Sequence, residues 1–202
     1  MTETVVVIDF ETTGLSPAKG ARATEVAAVK LRDGQIVDTF QSLMNAGVSV
    51  PLEIVRLTGI NDAMLRQAPP NIQVMAHLKY FLGDYPLIAH NAHFDQAFLE
   101  AEFALARISG QHHFACSMKL ARRVYPNAPN YKLATLLDYA DIPNSGKAHR
   151  ALADTAATAN LWHQMRQDLC ARHGLKMLDH SQLYKLTQTA VAGVGRQIKK
   201  WR

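Results

Sequence analysis

Cysteine is almost missing from this chain of 202 residues: Cys116 and Cys170 are the whole supply. They stand far apart and form no Cys-x-x-Cys pair, which excludes a disulfide framework and a zinc ribbon and leaves reduced thiols as the plain expectation. Long apolar runs are missing too. Nothing approaches the roughly 18 apolar residues of a membrane-spanning helix. The acidic start Met-Thr-Glu-Thr leads into too short an apolar stretch for a signal peptide. The expectation is a cytoplasmic protein with no membrane partner. There is no internal repeat and no low-complexity tract. What is present is apolar material at 48% of residues, enough for one sizeable core. Basic residues number 22 against 17 acidic, a net charge of +5. That moderate excess suits a polyanionic partner without establishing one.

The stretch Val5-Val-Val-Ile-Asp-Phe-Glu-Thr-Thr-Gly14 organises the rest. Four β-branched residues, Val5 to Ile8, read as a buried strand. Asp9 and Glu11 follow two residues apart, so in an extended chain both point to one face. One acidic residue there would be an ordinary strand terminator. Two carboxylates on one face of a buried strand repel each other and lose hydration, a costly arrangement unless cations neutralise them. This predicts a divalent-metal site and further carboxylates downstream. Thr12, Thr13 and Gly14 are small groups that let another molecule approach closely.

Residues 25–31 and 35–43 read as two further strands joined at Arg32-Asp33-Gly34, where Asp-Gly signals an antiparallel hairpin. A short helix starts at Pro51 and stops at Gly59, a further turn covers 63–67, and an amphipathic helix covers 71–82 with Ile72, Met75, Leu78 and Leu82 on one side. Residues 86–91 form a short buried strand running into a helix over 92–108, with Phe94, Phe98, Ala101 and Leu105 on one face. Helices follow over 117–125, 133–139 and 150–171, the last with an alanine-rich first half suited to close packing on a sheet. Residues 177–192 read as one more helix before a basic end. Together these predict an α/β fold with a mixed sheet covered on both faces.

Two later stretches supply carboxylates. In His90-Asn-Ala-His-Phe-Asp95, Asp95 lies in the first turn of a helix that follows a strand, where open α/β sheets place ligands; alone, it reads first as an acidic residue favoured by a helix N-terminus, and Asn91 as an N-cap. In His149-Arg-Ala-Leu-Ala-Asp154, Asp154 opens a later helix. His149 follows a loop ending Gly146-Lys147-Ala148, a setting suited to proton transfer near neutral pH.

Asp-x-Glu on a strand, Asn-x-x-Phe-Asp at a strand–helix junction and His-x4-Asp opening a later helix occur in order. In this the sequence resembles the histidine branch of the DEDD (DnaQ-like) exonuclease superfamily, over roughly residues 5 to 165. The tyrosine branch has Tyr four residues before the last Asp, where this chain has Arg150. Glu53 and the Leu57-Thr-Gly-Ile60 segment resemble the family region bordering the terminal nucleotide, with Thr58 where some relatives have histidine.

The resemblance implies a ribonuclease H-like fold with a five-stranded mixed sheet flanked by helices. It divides the chain into an exonuclease domain over 1–173 and a basic helical extension over 174–202. It also implies removal of nucleotides from a 3′ end by metal-activated water, releasing 5′-monophosphates. Two Mg²⁺ ions, with Mn²⁺ as substitute, would be held by Asp9, Glu11, Asp95 and Asp154, since hard cations favour oxygen ligands. His149 would deprotonate the attacking water. Thr12, Thr13, Gly14, Glu53 and Thr58 would border the bound 3′ end. Lys119, Arg122, Arg123, Lys132, Lys147 and Arg150 form a group suited to the phosphate backbone. The leading expectation is a DNA 3′–5′ exonuclease acting on single-stranded or mismatched ends in proofreading or repair. An RNA 3′ exonuclease is the alternative within the enzyme class, and a non-catalytic polymerase-associated subunit the alternative outside it. A DNA polymerase, a sliding clamp (through Gln182-Leu-Tyr-Lys-Leu186) and a homodimer are the protein partners to test.

Overall fold

The computed structural model describes residues 3–143 and 150–201. Strand β1 (Thr4–Thr12) carries the run Val5–Ile8 with all four side chains buried. Strands β2 (Ala23–Arg32) and β3 (Gln35–Leu43) form the expected antiparallel hairpin. Its turn places Asp33 and Gly34 at φ 51° and 89°, the doubly left-handed backbone that Asp-Gly adopts at low cost. Beyond β1 lie β4 (Leu87–Ala89) and β5 (Phe114–Cys116), parallel to it, so the sheet order is β3-β2-β1-β4-β5. This is the five-stranded mixed sheet that the resemblance implied. β5 itself is absent from the strands read along the chain: three residues are too few to show a period of two.

Side chains on β1 alternate between two cores. Val6, Ile8 and Phe10 pack toward helices α3 (Asn71–Leu82) and α4 (His93–Leu105). Val5 and Val7 pack on the other side, among residues of α5 (Ser117–Val124), α6 (Leu133–Tyr139) and α7 (Ala151–His173). Each fully buried Val, Leu or Ile contributes about 1.5–3 kcal/mol over its exposed state. In α7 the small buried residues Ala151, Ala157 and Ala159 let the helix lie close across β1 and β2. Helix α8 (His180–Gln188) and α9 (Val194–Lys199) bury Leu183, Leu186, Val194 and Ile198 in the same core as α7. The smaller helices α1 (Leu52–Thr58) and α2 (Asp62–Gln67) form a separate cluster around Ile60 and Leu65. As expected, α1 follows Pro51 and ends at Gly59, whose φ of 77° is the left-handed cap that glycine adopts freely.

Several local expectations are corrected. Ile72 is 58% exposed, because the buried arc of α3 runs through Asn71, Val74, Met75, Leu78, Phe81 and Leu82. Leu105 is 60% exposed, because α4 buries Asp95, Phe98, Leu99, Glu102 and Phe103. Two buried acids on that arc displace the face that an apolar pattern picks out. Residues 177–192 are not one helix: α8 stops at Gln188, and a 3-10 turn over Val191–Gly193 precedes α9. Asn91 is not a side-chain cap for α4; it sits at φ 66° and its carbonyl accepts from the Phe94 N–H. Among the described residues, no helix is long and apolar enough to cross a membrane.

Candidate active site

Asp9 and Glu11 lie at the carboxyl end of β1 on the face toward α7, and Asp154 projects from the first turn of α7. One oxygen from each of the three carboxylates lies within 4.8 Å of the others. Asp95 arrives from the opposite side. The β1–β4 pairing ends at Val7 and Ile88, after which β4 leads into α4. In the gap, Asp95 Oδ1 accepts the Phe10 N–H at 3.2 Å. The strand divergence therefore leaves a backbone donor for a buried carboxylate, which is 1% exposed, to satisfy. His149 and Lys147 lie outside the described residues.

The electrostatics follow from crowding. Burial, followed by the charges of Asp95, Glu11, Asp154 and Glu25, holds the Asp9 carboxyl well above the usual carboxylate range. Burial first, then Asp154 and Glu25, pushes Glu11 up to about 7 against the opposing pull of Arg150. Asp95 is pushed up to about 8, by burial first and by Glu11, although the backbone bond from Phe10 favours its ionised form. These acids cannot all be charged at neutral pH without compensation. Hard oxygen donors converging within 4.8 Å, with ionisation suppressed by burial and then by mutual repulsion, fit a divalent cation of the magnesium class.

Above the carboxylates opens a cleft of about 230 Å³. Asp9, Glu11 and Asp154 form one side, and Leu15, Ile54, Leu57, Thr58 and Phe94 are among the residues of the remainder. Phe94, read in the sequence as a core residue, packs its ring on Phe98 with centroids 4.9 Å apart and also borders this cleft. Thr12 and Gly14 line the cleft as well. The hydroxyl of Thr12 donates to the Gly14 carbonyl at 2.7 Å. Thr13 is used to shape the loop: its N–H donates to the Arg22 carbonyl and its Oγ1 accepts the Arg22 N–H, both at 2.9 Å. Thr58 Oγ1 donates to the Ile54 carbonyl and accepts the Ile60 N–H, so its hydroxyl is engaged inside α1. Glu53 is exposed on α1 and is not among the residues lining the cleft.

His90 is half-buried after β4, its Nδ1 bonded to Ser117 Oγ at 2.8 Å and its Nε2 to the Tyr131 carbonyl at 2.9 Å. Burial lowers its pKa, against the Tyr131 bond, and so favours the neutral ring. Of the basic group read in the sequence, Arg150 pairs with Glu25, and Arg123 donates to the Thr189 and Lys119 carbonyls. Arg122 lies over the Tyr131 ring at 5.4 Å. The segment Gln182–Leu186 forms part of α8 with Leu183 and Leu186 in the core.

Two acids went unnoticed in the sequence. Glu25 is 1% exposed and faces Glu11 across the β1–β2 ladder. Glu102, also 1% exposed, binds Arg22, the Asn71 amide and the Ala23 N–H. Each has an acid's ordinary place in sequence, near a strand start or within a helix. The register and packing that bury them join residues distant in the chain.

The exonuclease family model RNase_T matches residues 6–162. The chain is 38% identical over 179 residues to the DNA polymerase III PolC-type of Bacillus subtilis, a match covering 88% of this chain and 12% of that protein. Among solved structures it is similar to exonuclease X in complex with 5′-overhanging duplex DNA, at 26% identity and a TM-score of 0.71, over 91% of this chain and 99% of that one. It shares its fold with the nuclease domain of 3′hExo, a DEDDh family member bound to rAMP, at 23% identity and a TM-score of 0.73, over 88% and 97% of the two chains. With the family match running through β1, Asp95 and Asp154, the chain belongs to the RNase_T (DnaQ-like) family of exonucleases.

Proposed function

We propose that this chain removes nucleotides from the 3′ end of DNA and releases 5′-monophosphates. The observation that carries this reading is the convergence of Asp9, Glu11 and Asp154 beneath a cleft with a largely apolar wall. Asp9, Glu11 and Asp154, together with Asp95, would hold two divalent cations, Mg²⁺ with Mn²⁺ as substitute. When bound, such cations supply a nucleophile at neutral pH and stabilise charge on the attacking and leaving oxygens. His149, two residues before α7 begins, takes the proton from the attacking water. Asp95 also fixes the end of β1 through Phe10, which orients Asp9 and Glu11. Leu15, Ile54, Leu57 and Phe94 offer apolar surface to the terminal nucleoside and exclude water from it.

The preference for DNA rests on that wall. Ile54, Leu57 and Phe94 have no polar side-chain atom, and the Thr58 hydroxyl is already engaged within α1. Against Ile54, Leu57 and Phe94 a ribose 2′-OH loses water without gaining a side-chain partner. Thr12, Thr13 and Gly14 border the 3′ end from the strand exit, and Glu53 lies at its outer margin on α1. Residues 174–202 act as a basic extension of an exonuclease domain over 1–173. The chain spans 12% of the length of its PolC-type relative. That relative is a DNA polymerase, which supports work beside a polymerase in proofreading or repair, in a cytoplasmic setting.

The test is digestion of matched single-stranded DNA, duplex DNA with a mismatched 3′ end, and RNA, with Mg²⁺, with Mn²⁺ and with a chelator. Metal-dependent release of deoxynucleoside 5′-monophosphates is the expected result. Faster cleavage of RNA than DNA overturns the sugar assignment, and no cleavage of any substrate overturns the enzyme reading.

A further inference from the structure

Glu25 is a further buried carboxylate beside the cluster of Asp9, Glu11 and Asp154, and it stands directly across the ladder from Glu11. Position alone makes it a candidate cation ligand. Its hydrogen bonds give it another role. Oε1 accepts from Gln41 Nε2 at 2.8 Å and from Arg150 Nη2 at 3.0 Å. Oε2 accepts from Arg150 Nε and from the Ala151 N–H, both at 3.3 Å. Four donors occupy the roughly four lone-pair sites a carboxylate offers, and the guanidinium meets it as a two-pronged fork.

The same bonds act on α7. Arg150 is the residue before that helix and makes no side-chain cap, which leaves the first helical N–H needing an acceptor. Glu25 supplies it from β2 through Ala151. The Asp154 N–H donates to the Arg150 carbonyl at 3.1 Å, so the turn that carries Asp154 is built on the residue Glu25 grips.

We propose that Glu25 and Arg150 are positioning residues: their ion pair locks the first turn of α7 to β2, setting Asp154 opposite Asp9 and Glu11, and keeps the Glu25 carboxylate out of the cation shell. This rests on the proposed function for the identity of the ligands. Groups that orient metal ligands through hydrogen bonds typically change metal affinity or activity by about 10–100-fold when removed.

The experiment compares wild type with Glu25→Gln, Arg150→Gln, Arg150→Lys and the double variant Glu25→Gln/Arg150→Gln. Asp38→Asn, which breaks the surface Lys30–Asp38 pair, is the control. Mg²⁺ and Mn²⁺ affinity is read by calorimetry, thermal stability by unfolding, and kcat and KM on single-stranded DNA by product release. The expected result is an affinity and kcat about 10–100-fold below wild type in both single glutamine variants. KM changes little, the double variant is no worse than either single one, Arg150→Lys is intermediate, and the control matches wild type. Affinity and kcat within twofold of wild type in the glutamine variants, with only the unfolding temperature lowered, overturns the proposal. If those variants fail to fold, Arg150→Lys carries the test, and wild-type affinity in it is the overturning result. Lowered affinity in variants of a wild type that cleaves nothing upholds the positioning role and overturns the nuclease reading alone.

Discussion

Glu11 offers a test of the metal reading that needs no nucleic acid. Burial and the charges of Asp154 and Glu25 raise its carboxyl from an ordinary value of 4.5 to about 7. In metal-free protein the folded state keeps a proton that the unfolded chain has already released. The associated stability is fully present below pH 4.5 and is lost as the pH rises through 7. At 1.36 kcal/mol per pKa unit, the loss from this one group is about 3 kcal/mol by pH 8.5. Replacing Glu11 by Gln removes the titration and relieves Asp9 and Asp95, both of which Glu11 raises. The perturbation is therefore Glu11→Gln, and the assay is urea unfolding of chelator-treated protein from pH 4.5 to 8.5. His180, lowered by burial to about 4, weakens the fold toward acid in both proteins, so the difference between them is the informative quantity. The metal-free variant should gain on wild type across that range, by about 3 kcal/mol at the alkaline end. Saturating Mg²⁺ should reverse the order, since a cation at 1,000 times its dissociation constant stabilises wild type by about 4.1 kcal/mol. A stability difference that stays flat with pH, or an equal Mg²⁺ response in both proteins, refutes the reasoning.

Other consequences are as open to measurement. His149→Ala should lower the single-turnover rate by about 10²–10⁴-fold with cation affinity largely intact, and an unchanged rate removes it as the base. Glu102→Ala strands the half-buried Arg22 fork, the buried Asn71 amide and the Ala23 N–H, so denaturant unfolding should show a loss of about 3 kcal/mol. Leu186→Ala, in the core shared by α7 and α8, should cost about 2–5 kcal/mol in the same assay. Its wild-type stability would mean the C-terminal helices are not docked. Affinity for single-stranded DNA should fall as salt rises, with a log–log slope of about −0.7 per phosphate neutralised, and a flat dependence argues against a phosphate-tracking surface.

Local chemistry made much of this protein legible in its residues. The Val5–Ile8 run, the Asp33-Gly34 turn, the Pro51 and Gly59 limits of α1 and the small residues of α7 declare themselves because backbone preference and periodicity act over a few neighbouring positions. The ordered spacing of Asp9, Glu11, Asp95 and Asp154 also pointed to an acidic site at strand and helix ends, three of whose members the structure brings within 4.8 Å. Tertiary structure decided what depends on distance in the chain. It supplied β5, too short to show a pattern, and the buried arcs of α3 and α4, which leave Ile72 and Leu105 in solvent. It turned the Thr58 hydroxyl inward, and it placed Glu25 beside Glu11 and closed it off with Arg150. An acidic residue looks the same in sequence whether water, a cation or a guanidinium will face it. Which of these it meets is settled by the register and packing of segments more than a hundred residues apart, as Glu25 and Arg150 are.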